Sequence, residues 1–186
     1  MLAVVGVALL AAVAIAARPD DRAAPARGGG TVCPAAGKPA AQASTKELRK
    51  SVRCLIKDER SNRGLDILGR DQSLAEAAAL HSEAMVEADC LAHQCSGEDD
   101  LATRLRDAGY FDGAEMWQFA ENTGCGMSAE AMVANWMATR FHRVNILEPR
   151  FHEIGVGVVG ERVKGRCEKG YATFTVVVAW NDADDA

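Results

Sequence analysis

Helical patterns fill the first part of the chain and β-rich runs are spread after them, an order that predicts an α+β layered domain. Two observations carry this. Ser44-Thr45-Lys46-Glu47 and Ser73-Leu74-Ala75-Glu76 both read as capping boxes, in which serine accepts from the third helical amide and glutamate reaches back. Near the other end, IGVGVVGERV and YATFTVVVAW are rich in β-branched and aromatic residues, with Gly165 and Gly170 between them, so they read as two strands of one sheet.

The elements follow in order. The first capping box opens a helix in which Leu48, Val52, Leu55 and Ile56 recur at helical spacing, and which ends near Arg63-Gly64. A short apolar stretch occupies residues 65–68. The second box opens an Ala-rich helix to about Asp89, with Leu74, Ala78, Met85 and Ala88 on one side. CLAHQCSGE reads as a loop. Asp100 caps a short helix, LATRLRDA, which Gly109 stops. WQFAEN reads as a strand entering a Gly-rich turn, TGCG. Ser128 caps a fourth helix with Met132, Trp136 and Thr139 on one face.

The N-terminal residues set the compartment. Residues 2–17 are apolar without a break and stop at Arg18, short of the about 20 residues a membrane span needs. Ala14-Ile15-Ala16 supplies a small-x-small cleavage pattern, although no Lys or Arg precedes the apolar run. A cleaved signal peptide is expected, with an uncleaved anchor as the alternative; both place the rest of the chain outside the cytoplasm. The expected division is a signal peptide at 1–16, an Ala/Pro/Gly-rich linker at 17–43 and one domain at 44–182.

Six cysteines, an even number in an exported chain, read as disulfides, and six allow about 15 connectivities. The pairing expected is Cys90–Cys95 locally, Cys33–Cys54 clipping the N-terminal arm to the first helix, and Cys125–Cys167. C-x4-C lacks the spacing of a structural zinc module. In this reading His93, between Cys90 and Cys95, sits on a stapled corner and no thiol activates it. Net charge is −5 and no basic stripe is visible, so no nucleic-acid partner is expected. No period of 20 to 50 residues repeats.

The four histidines can be weighed singly. His81 lies on the apolar side of its helix and reads as a satisfied core or boundary residue. His152 begins HEIGV, which lacks the second histidine of H-E-x-x-H. His93 and His142 end helical segments in polar company. GVGVVG at 155–160 matches G-x-G-x-x-G, but no helix follows it, so the glycines are expected to let another element approach the strand closely. Ser96 is in no nucleophile elbow. Glu121 reads either as a carboxylate at the end of a buried strand or as a capping or turn carboxylate.

Four landmarks occur in order: LHSEAM followed by LAH, then RLRDAGY, AENTGCG, and NWMATRFHRVNILEPRFHEIGVGVV. Together they resemble the CAP superfamily of cysteine-rich secretory proteins, antigen 5 and pathogenesis-related proteins, and its bacterial SCP-like branch most of all, over roughly Glu47 to Trp180. The resemblance implies a single-domain α-β-α sandwich with a shallow cleft, where two His and two Glu can hold a divalent cation in many members. His93, Glu121 and His142 match three of the four, and Thr139 stands where many members have the second glutamate.

Zinc is the most plausible cation. The imidazoles of His93 and His142 would offer two nitrogens at about 2.0–2.1 Å, with Glu121 as a third ligand or as the partner of an imidazole N–H. Calcium, which takes about 6–8 oxygens, suits this set poorly. The expected function is a secreted or cell-envelope binding module with this cleft. The alternatives are a metal-assisted hydrolase in which Glu121 activates water, and an extracellular lipid or sterol carrier. The expected partner is an extracellular ligand, with membrane contact only if the N-terminal segment stays uncleaved, and the expected state is a monomer.

Overall fold

A computed structural model describes residues 32–183. The expected signal peptide and most of the expected linker lie outside them.

β4 (Ala172–Asn181) organises the fold. It pairs antiparallel with β3 (Glu153–Val159) on one side and with β2 (Trp117–Gly126) on the other. A two-residue β1 (Gly69–Arg70) adds in parallel at the far edge of β3, giving the order β1-β3-β4-β2. A strand inside such a sheet is covered on both faces, so its sequence is a nearly unbroken apolar run. In β4, Phe174, Val176 and Val178 face one helical layer and Val177 and Ala179 face the other.

The first layer holds α1 (Thr45–Ser61) and α4 (Ala129–Ala138), whose Leu48, Val52, Ile56, Met132 and Trp136 pack on Val156 and Val176. The second holds α2 (Gln72–Glu87) and α3 (Leu101–Asp107), which pack through Leu74, Ala78 and Leu105. A short α5 (Arg140–Ile146) follows α4. This is the α-β-α sandwich. A Cβ on Gly155 would fall on the backbone of Leu74 and Ala75, and one on Gly157 on that of Ala78. The glycines of GVGVVG therefore seat α2 directly on β3, as the close-approach reading expects.

Several expectations are corrected. TGCG is no turn: β2 runs through it, because the bare faces of Gly124 and Gly126 make room for the Met132 side chain. Ser73 does not cap α2. Asp71 does, accepting from Leu74 N at 2.7 Å, and the helix starts one residue before Ser73. Residues 65–68 form no element. His142 lies within α5, not at a helix end.

The end of the expected linker is packed. Ala40 N donates to Met127 O at 2.7 Å, Glu130 N to Ala36 O at 2.9 Å, and Ser51 Oγ to Pro34 O at 2.8 Å. Small Ala and Pro residues, which look like spacer by composition, suit this close contact with α1 and α4. The three disulfides are Cys33–Cys54, Cys90–Cys95 and Cys125–Cys167, and no cysteine among the described residues is free.

Candidate functional site: a histidine and carboxylate network at the β2 edge

β2 is an edge strand, and an open edge presents unpaired carbonyls. Side chains from the following helices cover two of them: Asn145 Nδ2 donates to Glu121 O at 3.3 Å and Trp136 Nε1 to Thr123 O at 3.0 Å. Asn122 ties the same helix down through a 3.0 Å bond from Nδ2 to His142 O. His142 is thereby brought to the strand edge from the α4/α5 side.

The Glu121 side chain points to the other layer, beneath the Cys90–Cys95 loop, and is 2% exposed. A carboxylate so buried needs partners for its charge. His93 Nδ1 donates to Oε1 at 2.9 Å and Arg104 Nη1 to Oε2 at 3.1 Å. Arg104 Nη2 also donates to His93 O at 3.0 Å, so one guanidinium from α3 fixes both the carboxylate and the loop that carries the histidine.

Behind this pair lies His81, fully buried, with Nδ1 2.7 Å from Glu98 Oε1 and Nε2 3.0 Å from Ala92 O. Glu98 Oε2 accepts from Cys95 N at 3.1 Å. The stapled corner is thus held by its disulfide and by a buried polar scaffold. His81 is the satisfied core histidine expected, but its neighbours make it part of the support for the site.

His93 is 62% exposed at its side chain. With Nδ1 committed to Glu121, the nitrogen it can offer is Nε2. The hydrogen bond to Glu121 raises the His93 pKa above the ordinary histidine value, against a smaller opposing effect of burial. His142 moves the other way: burial lowers its pKa first, and the nearby His93 lowers it further. His142 Nδ1 is buried with no hydrogen-bond partner among the described residues. Thr139 joins α4 to α5, and its hydroxyl turns back to donate to Asn135 O at 3.1 Å, within α4. His152 is exposed ahead of β3.

The structure therefore bonds His93 to Glu121 and sets His142 near enough to His93 to feel its charge, but among the described residues gives Thr139 no hydrogen bond to them. Arg104 and Glu98 were not singled out from the sequence. Their signal was faint: Arg104 stands three residues after Leu101 and beside Leu105, a charge at the border of an apolar face.

The profile of the cysteine-rich secretory protein family matches residues 54–179. This chain belongs to that family. The CAP domain is 31% identical over 120 residues to the Bacillus subtilis protein YkwD, covering 64% of this chain and 45% of that one. Among solved structures, it resembles an extracellular SCP-domain protein of Bacillus anthracis at TM-score 0.58 and 22% identity, covering 72% of this chain and 41% of that one. It resembles an outer surface protein of Borrelia burgdorferi at TM-score 0.61 and 17% identity, covering 75% and 96%. The CAP domain here spans less than half the length of the two Bacillus proteins. No helix among the described residues is long and apolar enough to cross a membrane.

Proposed function

We propose that this CAP protein is a secreted binding module that presents His93 Nε2, with His142 beside it, to a small extracellular ligand. Glu121 is a positioning residue. The observation that carries this reading is that both Glu121 oxygens are engaged, one by His93 and one by Arg104, behind a histidine that is itself exposed. A carboxylate that holds the Nδ1–H of an imidazole fixes its tautomer and makes Nε2 a better acceptor or ligand. Three disulfides support secretion, since such bonds persist in oxidising compartments.

The residues do not fit a tight zinc centre. Catalytic zinc sites hold the metal with about three protein ligands, and here Glu121 is committed and capped by a guanidinium. Among the described residues no three His, Cys, Asp or Glu form a group that could hold a metal. Two imidazoles alone make a weak site, and the hydrolase reading loses its base along with the metal.

Calorimetric titration with zinc at about pH 7.5, beside His93→Ala/His142→Ala, tests this. Binding no tighter than about 10 μM, and lost in the double variant, is expected. Submicromolar affinity would overturn the reading, because it would require Glu121 to leave Arg104 and ligate.

One observation favours the lipid-carrier alternative. A groove of about 740 Å³ lies between the N-terminal segment and α4, lined mainly by apolar groups of Pro39, Met127, Ala131, Ala134 and Tyr171. Displacement of a fluorescent fatty-acid probe, abolished by Ala134→Trp, is the outcome this alternative expects.

A further inference from the structure

A second cleft, of about 430 Å³, lies between α1 and α2 along the outer edge of β3. β1 covers that edge only at Glu153 and Ile154. Val156, at its floor, is 1% exposed. The cleft walls are basic. Lys46, Arg49 and Arg53 stand at i, i+3 and i+7 on one face of α1, a row spanning about 10 Å of helix axis. Arg70 of β1 adds a fourth cation, and Glu76 of α2 is the lone carboxylate.

Among the described residues these cations have no carboxylate partner. Lys38, Arg63, Arg104 and Arg150 each pair with a carboxylate within 4.0 Å, whereas among the described residues Lys46, Arg49, Arg53 and Arg70 have no such pair. Arg70 has a 3.3 Å bond to Gln72 Oε1. Arg53 is half-buried, and burial, then Arg70 and Arg49, pull its pKa below the ordinary guanidinium value. The chain as a whole carries −5, so general basicity does not account for the concentration. Unpaired guanidiniums drawn together in a concave site cost stability, and a ligand that neutralises them recovers it.

We propose that this cleft binds an oligoanion, a soluble chain bearing two or more phosphate or sulfate groups. Arg49, Arg53 and Arg70 take the anionic groups through two-point guanidinium contacts, and Lys46 guards the mouth. The row of cations along α1 matches a row of charges better than a single ion. The concave shape suits a chain and not the flat surface of a bilayer. Glu76 opposes the ligand and limits its affinity.

Calorimetry of the oxidised full chain with tripolyphosphate, at low salt and without divalent metal, tests the proposal. One-to-one binding is expected, weaker for inorganic phosphate. Arg49→Gln/Arg53→Gln should lose about tenfold or more in affinity, while Lys164→Gln/Arg166→Gln, the same charge change on an exposed loop, should lose less than about twofold. Glu76→Gln should tighten binding. Circular dichroism reports whether the first pair folds; if it does not, the exposed Lys46→Gln/Arg70→Gln takes its place.

Absence of binding, or equal losses from the two charge-matched pairs, would overturn the cleft. So would binding to phosphatidylglycerol vesicles without affinity for tripolyphosphate, which would mark a membrane-facing surface.

Discussion

Replacing Arg104 with methionine keeps most of the side-chain volume and removes the guanidinium. Glu121, 2% exposed, would lose its partner at Oε2, and the His93 carbonyl would lose the bond that holds its loop. Breaking a buried ion pair by removing one partner costs about 3–5 kcal/mol, because the other charge is stranded. Here the stranding is partial, since His93 still donates to Oε1 and His81 Nε2 lies 3.7 Å away. The lower end, about 3 kcal/mol, is expected, a large share of the about 5–15 kcal/mol that holds a domain together. In urea, with a slope of about 1–3 kcal/mol/M, that lowers the midpoint by about 1–3 M at unchanged slope. Adding Glu121→Gln removes the stranded charge, so the double variant should recover at least about 1 kcal/mol of the loss. A single-variant loss below about 1 kcal/mol would refute the reasoning, because water would then be reaching Glu121.

Gly157→Ala should destabilise by about 3 kcal/mol or more, since the new Cβ meets the Ala78 backbone, which cannot swing aside; Gly160→Ala, with open space around it, should stay within about 0.5 kcal/mol, and equal losses in urea melts would show that α2 does not rest on β3. The two site histidines should titrate apart by NMR, His93 above and His142 below the ordinary value of about 6.5, and Glu121→Gln should bring His93 down. The linkage signs oppose: the His93 contribution is full below that value and fades as pH rises through its raised folded pKa, whereas protonating His142 costs stability as pH falls through its lowered one. A shared midpoint would sink this arrangement. Cys90→Ser/Cys95→Ser opens a short loop worth about 2 kcal/mol in the chain-entropy expression. Amide exchange across residues 91–94 should rise more than global stability falls; a loss above about 4 kcal/mol would mean that the bridge supports the whole domain.

Periodicity made α1, β3 and β4 legible, because their faces are set by packing that repeats along the chain. The glycine signals misled at TGCG and informed at GVGVVG for the same physical reason. In both places the missing Cβ makes room for a packed neighbour, Met132 in one and α2 in the other. A local reading cannot tell such a glycine from a turn. Ser73 and Asp71 are both competent caps, and only the backbone path decides between them.

At the site, the family pattern pointed to His93, Glu121 and His142, of which the first two share a hydrogen bond. Arg104, Glu98 and the supporting place of His81 depend on contacts across 17 residues or more, or on one loop folding back over a helix end. No spacing rule encodes those. The basic cleft is hidden likewise: Lys46, Arg49 and Arg53 are interleaved with Glu47, Leu48 and Val52 in the sequence, and Arg70 joins them only through the fold.

β4 imposes an order in time. It is the last in sequence of the described strands and the one to which both β2 and β3 pair. A nascent chain that lacks residues 172–181 holds two strands with nothing between them, and Arg60 of α1 must wait for the carbonyls of Ile146, Glu148 and Phe151. Contacts so distant in sequence form slowly and late. The sheet therefore stays pliable until residues 172–181 are in place and becomes rigid only then.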